Sequence, residues 1–176
     1  MKKKSSIKKR NSMKKILIIN TGGTFNKVYN PLNGNLEIEP RGKAIKEISK
    51  AWLNKLKILN IIAKDSLDMN HQDREMIKEE IKKAKEKNII VVHGTDTMHL
   101  TAQFLAKAKL NKKIILTGAM VPHSIKPIES TANLSSAYGY LQMLDKKGVF
   151  ISMNGIIKDY KKVLKNKEKG YFEKSK

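Results

Sequence analysis

Short apolar runs interrupt an otherwise polar chain at residues 16–20, 58–63, 89–93, 114–117 and 148–152. Each has the length of a strand, and the segments between them repeat apolar residues at helical spacing. Met76, Ile77, Ile81 and Ala84 form one such stripe, followed by Leu100, Phe104 and Ala108, and then by Leu134, Ala137, Leu141 and Leu144. Segment 41–55 is expected to hold a further helix. Residues 24–40, punctuated by Asn30-Pro31, Asn33-Gly34 and Pro40, read as a turn-rich loop with room for a short hairpin. Strands alternating with helices predict an α/β domain whose mainly parallel sheet carries helices on both faces. The expected division is a basic extension over 1–12, one domain over 13–168 and a short tail over 169–176.

Length and composition narrow this picture. A chain of 176 residues accommodates one ordinary core. No apolar run approaches the ~20 residues of a membrane-spanning helix, so no membrane partner is expected. The chain has no cysteine, which removes disulfides, thiolate metal sites and thiol nucleophiles and fits a cytoplasmic location. Thirty-seven basic residues against sixteen acidic ones give a net charge of +21, a balance that attracts polyanions. Much of the excess is terminal: Lys2, Lys3, Lys4, Lys8, Lys9 and Arg10 precede Met13, and eight Lys face three acids over 158–176. Arg10, Arg41 and Arg74 are the only arginines, so the charge reads mainly as a solvated lysine surface and nucleic acid is not the expected partner. Because Met13-Lys14-Lys15 leads directly into the first strand, Met13 is the expected start of the protein.

The candidate chemistry lies just after the strands, where ligands sit in open α/β sheets. Thr21-Gly22-Gly23-Thr24 follows the first strand, Asp65-Ser66-Leu67-Asp68 the second, His93-Gly94-Thr95-Asp96-Thr97 the third and Thr117-Gly118-Ala119-Met120 the fourth. Glycines beside Thr24 let the backbone approach a ligand, which suits a hydroxyl nucleophile or, more simply, a tight turn. A threonine hydroxyl needs a base or a proton relay to attack at neutral pH. His93, His99 and His123 have the right chemistry but equally suit packing and capping, while a lysine or the phenol of Tyr29 are other candidates. Thr95 and Asp96 read either as part of a relay or as the N-cap of the helix running to Leu110. Nothing resembles a phosphate-binding glycine loop or a metal-ligand spacing, so neither a cofactor nor a metal is expected.

Taken in order, these four motifs resemble the L-asparaginase/glutaminase family of amidohydrolases, over about Met13 to Lys167 and corresponding to that family's N-terminal domain. Short single-domain asparaginase-like proteins share the Met153-Asn154-Gly155 and Lys165-Asn166-Lys167 patterns. The resemblance implies a three-layer, Rossmann- or flavodoxin-like fold and hydrolysis of the side-chain amide of asparagine or a related small amide. It implies that Thr24 forms an acyl-enzyme and releases ammonia, with Tyr29 beside it, and that Thr95, Asp96 and Lys165 form a second relay. Ser66, Asp68, Gly94 and Ala119 are implied to bind substrate. Three departures are visible: the family's C-terminal domain is absent, Leu67 stands where many members carry a polar substrate-binding side chain, and Asn154-Gly155 replaces an Asn-Asp pair.

Other readings stay open: an amino-acid-binding or regulatory module that does not turn over, an ammonia-producing component of a tRNA-dependent amidotransferase, and a remnant of a longer asparaginase. The face left by the absent domain leads to the expectation of a homodimer or homotetramer.

Overall fold

The computed structural model describes residues 13–175, so the expected basic extension over 1–12 lies outside the described residues. The five sequence-predicted strands form β1 (Ile16–Gly22), β4 (Lys57–Lys64), β5 (Asn88–Val92), β6 (Lys113–Thr117) and β7 (Gly148–Met153). They pair in the order β4-β1-β5-β6-β7, all parallel, and β8 (Ile156–Asp159) adds an antiparallel edge. This is a flavodoxin-like strand order, whose direction of winding reverses between β1 and β5.

Successive side chains on a strand point to opposite faces, and here both faces are apolar. Leu17, Ile19, Ile89, Val91, Ile114 and Leu116 pack on one side with α2 (His71–Lys83) and α3 (Met98–Lys107). Ile16, Ile18, Ile90, Val92 and Ile115 pack on the other with α1 (Lys43–Ala51) and α4 (Pro127–Met143). The three-layer α/β reading is therefore met. Helix starts are marked locally: Asn70 and Asp73 form a reciprocal capping box on α2, and Pro127 opens α4.

Two expectations are corrected. Helix α3 buries Met98, Ala102 and Leu105, whereas Leu100 of the expected stripe faces solvent. The helix is apolar on most sides, so spacing alone does not select a face, and the small Ala102 meets the sheet. The ordered chain also continues past Glu168. β9 (Val163–Asn166) pairs antiparallel with β10 (Tyr171–Lys174), and Phe172 of the expected tail is buried in the α2/α3 core. The loop over 24–40 contains the expected hairpin, β2 (Lys27–Asn30) with β3 (Asn35–Ile38).

Candidate functional site

Glycines join the four strand-end motifs. A Cβ on Gly22 would lie 2.6 Å from the Lys64 carbonyl oxygen, and one on Gly23 would lie 2.5 Å from the Gly94 backbone. A Cβ on Gly94 would meet Ser66 at 2.7 Å, and one on Gly118 would meet the His93 carbonyl at 2.4 Å. Side chains at these positions would hold the loops apart, so the glycines let the ends of β1, β4, β5 and β6 touch. The contact falls at the β1/β5 switch point, where the fold predicts a ligand.

Thr24 emerges from this junction on a 3-10 turn that is anchored on both sides. Gly23 N–H donates to the Lys64 carbonyl at 2.9 Å. Phe25 is buried, and the Asn26 amide donates to Asn20 Oδ1 and to the Gly22 carbonyl at 2.8 and 2.7 Å. The Thr24 side chain is half-buried, and its hydroxyl bonds to no other described residue. At the end of β5, Lys165 Nζ donates to Thr95 Oγ1 at 2.9 Å and to Asp96 Oδ1 at 2.7 Å. The Lys165 side chain is 12% exposed and that of Asp96 34%. Thr97 occupies the α3 N-cap position, and its hydroxyl donates to the Ser66 carbonyl at 2.7 Å. Thr95 and Asp96 are therefore not the cap of α3, and both face Lys165 instead.

Other expected residues are placed differently. Ser66 is fully buried against Gly94, its hydroxyl accepting from Thr97 N–H at 3.3 Å. Leu67 and Asp68 are exposed on the rim. Ala119 packs within the α1/α4 core, and Tyr29 projects from β2 into solvent; neither is brought onto the Thr95-Asp96-Lys165 cluster. Lys27, at the base of the β2–β3 hairpin, pairs with Asp65 at 2.8 Å, while Ser124 donates to the Lys27 carbonyl. Partial burial pushes the Asp65 carboxyl up, but the Lys27 ammonium and the Leu67 and Ser66 N–H groups outweigh it and hold the group below the usual carboxylate range. Among the described residues, no three His, Asp or Glu side chains gather to hold a metal.

The Asparaginase N-terminal family model matches residues 15–171. The chain belongs to the asparaginase family. This asparaginase-family domain is 31% identical over 161 residues to a Methanococcus vannielii protein named as a subunit of glutamyl-tRNA(Gln) amidotransferase, covering 88% of this chain and 37% of that one. It is also 31% identical over 154 residues to the probable periplasmic L-asparaginase of Haemophilus influenzae, covering 79% and 42% of the two chains. Among solved structures, it superposes on the thermostable L-asparaginase from Thermococcus kodakarensis with a TM-score of 0.76 at 20% identity, covering 90% of this chain and 50% of that one. A probable cytoplasmic L-asparaginase from Campylobacter jejuni gives 0.71 at 27% identity, with 86% and 49% covered. The chain thus spans half or less of the length of these relatives.

Sequence alone assigns Asn154-Gly155 no role, and the structure supplies one. In this asparaginase-family domain both residues have positive φ, 49° and 75°, and form the two-residue turn between Met153 and Ile156. An Asn-Gly pair between apolar strands is the strongest short hairpin signal, so β8 was legible. Asn154 N–H donates to Asn133 Oδ1 on α4 at 3.1 Å, while Asn154 Oδ1 accepts from Phe172 N–H at 2.9 Å. Phe172 pairs directly with Lys165 across β10 and β9. Asn154 therefore positions the strand pair that delivers Lys165.

His93 is not part of the cluster. Its Nδ1–H donates to the Gly94 carbonyl at 2.7 Å, and Nε2 accepts from the Thr101 hydroxyl at 2.8 Å. Complete burial, opposed by the Gly94 hydrogen bond, pushes its pKa down to about 4. The unfolded chain, with an ordinary histidine near 6.5, therefore binds more protons between those values, and stability is full above ~6.5 and lost as pH falls towards ~4. In urea denaturation at several pH values, the wild type should lose up to about 1.4 kcal/mol per pH unit in this window beyond the loss shown by His93→Gln. Equal slopes would show that His93 is not buried as a neutral ring.

Proposed function

We propose that the domain hydrolyses the side-chain amide of asparagine or a related small amide through a threonine acyl-enzyme. The observation that carries this reading is the convergence of Lys165 on Thr95 and Asp96 at the switch point, beside the loop bearing a hydroxyl that has no protein partner among the described residues. Family membership makes an amidohydrolase the reference chemistry.

Thr24 Oγ attacks the amide carbon, and its proton passes into the adjoining polar site. The carbonyl oxygen becomes an oxyanion, for which backbone N–H groups near Thr95 are the proposed donors. The C–N bond then breaks, the nitrogen takes up a proton and leaves as ammonia, and the acyl group remains as an ester on Thr24. Water attacks the ester carbon while the Thr95-Asp96-Lys165 cluster accepts its proton; the acyl C–Oγ bond then breaks, a proton is returned to Thr24 Oγ, and the threonine hydroxyl and the acid are released. Tyr29, Ser66, Asp68, Gly94 and Ala119 stay in the proposal as residues near the substrate. Tyr29 stands on the exposed hairpin, and Ser66 is buried with its hydroxyl accepting from Thr97 N–H. A cytoplasmic location and a homodimer or homotetramer belong to the same proposal.

The test is ammonia release from L-asparagine, L-glutamine and a panel of small amides by the folded protein. Release from at least one, linear in enzyme concentration, supports the reading; none, with the circular dichroism of a folded protein, overturns it and favours a binding module. A second reading draws on the likeness to the protein named as an amidotransferase subunit: ammonia production for a larger assembly. It gains support if turnover appears only with a partner protein and tRNA present.

A further inference from the structure

We propose that the corner of the fold where β1 begins and α1 and α4 end docks on an anionic bilayer surface. Three apolar side chains stand in water there. Leu53, on the turn after α1, is 96% exposed; Met143, at the end of α4, is 81% exposed; and Met13, just before β1, is 64% exposed. Their segments are braced together. Asn54 Nδ2 donates to the Tyr138 hydroxyl at 3.2 Å, and Trp52 meets the Tyr138 ring edge-on at 5.7 Å. The Gln142 side chain accepts from Lys14 N–H at 2.8 Å and donates to the Lys14 carbonyl at 3.3 Å. Leu53 is held at φ 53°, in a region that leucine rarely adopts, so its projection is fixed by the turn.

Lysines surround these tips. Lys15, Lys50, Lys55, Lys146 and Lys147 are exposed, and the acids beside them are Asp145 and the largely buried Glu86, which pairs with Lys57 at 2.8 Å. Apolar tips ringed by ammonium groups on flexible stems match an anionic membrane interface, where the tips enter the acyl boundary and the lysines meet lipid phosphates. A nucleic acid would meet the charge but give Leu53 and Met143 nothing to pack on, since bases stack on aromatic or guanidinium planes. A second copy would set lysines against lysines. No helix among the described residues is long and apolar enough to cross a membrane, so the contact is peripheral and departs from the expectation of no membrane partner. It lies at the opposite end of the strands from Thr24, roughly 23 Å away along β1, and does not depend on the proposed hydrolysis.

The 176-residue chain is sedimented with vesicles of phosphatidylcholine, alone or mixed with phosphatidylglycerol, at low and high salt. Binding to the mixed vesicles only, weakened by salt, is expected. Lys50→Glu/Lys55→Glu should weaken it by at least about fivefold for each lysine. Leu53→Asn/Met143→Ser should weaken it at unchanged charge, with circular dichroism confirming that both variants are folded. No binding to the mixed vesicles overturns the proposal. So does binding that Leu53→Asn/Met143→Ser leaves intact and a single-stranded oligonucleotide displaces, which would be charge attraction alone, or a dimer in sedimentation velocity that this variant dissociates.

Discussion

Thr24→Ala is expected to reduce ammonia release by at least about 10⁴-fold, and Lys165→Met by roughly 10³-fold, with the double variant no worse than Thr24→Ala. The first removes the atom that forms the ester. The second leaves Thr95 and Asp96 without the group that joins them, so water would attack the ester unassisted. Residues acting in one sequence of steps lose their effects together, which is why the double variant decides the point. Additive losses would place Lys165 outside the catalytic path. Stability separates these effects from unfolding. The Thr24 hydroxyl has no hydrogen bond to another described residue, so Thr24→Ala should change stability by less than about 1 kcal/mol. Lys165→Met removes the Lys165 partner of a carboxylate that is one-third exposed and still reached by water, so a loss of about 1 kcal/mol is expected. The check is initial rates of ammonia release at saturating amide, with urea denaturation of the same samples. Equal rates for wild type and Thr24→Ala would remove the acyl-enzyme.

Gly23→Ala is expected to destabilise the domain by more than about 3 kcal/mol and to abolish turnover with it. Its φ is +70°, and the added Cβ would lie 2.5 Å from both the nitrogen and the Cα of Gly94. No rotamer relieves a collision between two backbones; the β1 and β5 loops must separate, and with them Thr24 and Thr95. Gly34→Ala is the control. Its φ is +74°, but nothing lies within 4 Å of the added methyl, so it should cost only the ~1–2 kcal/mol of the left-handed backbone. Urea denaturation of the two variants separates strain from collision, and equal losses would mean that the glycine contact does not hold the site together.

Asn154 links the fold to this chemistry across long distances in sequence. Its backbone N–H bonds to Asn133 on α4 and its side chain to Phe172 on β10, and β10 fixes β9, so a lysine seventy residues after Thr95 arrives within hydrogen-bond reach of it. This is long-range placement by a turn residue that carries no chemistry of its own. It also gives the Asn-Gly pair a structural role independent of substrate.

The amino-acid sequence by itself determined the α/β class, because two-residue and helical periodicities are local properties of side-chain order. Five parallel strands, four helices and the β2–β3 hairpin followed from it, as did the four strand-end motifs, while Lys165 entered only through the family resemblance. The buried face of α3 did not, because Leu100-Phe104-Ala108 and Met98-Ala102-Leu105 satisfy the same spacing and only contact with the sheet chooses between them. The role of His93 was also undecided, since one residue type serves packing and catalysis until its burial and its two hydrogen-bond partners are fixed. Tertiary structure alone decided that Thr95 and Asp96 meet Lys165 rather than cap a helix, that Ser66 is shielded, and that Tyr29 and Ala119 lie apart from them. Local preference sets which element a residue joins. The meeting of distant strand ends depends on sheet order, on close backbone contact at glycines and on the strand pair held by Asn154.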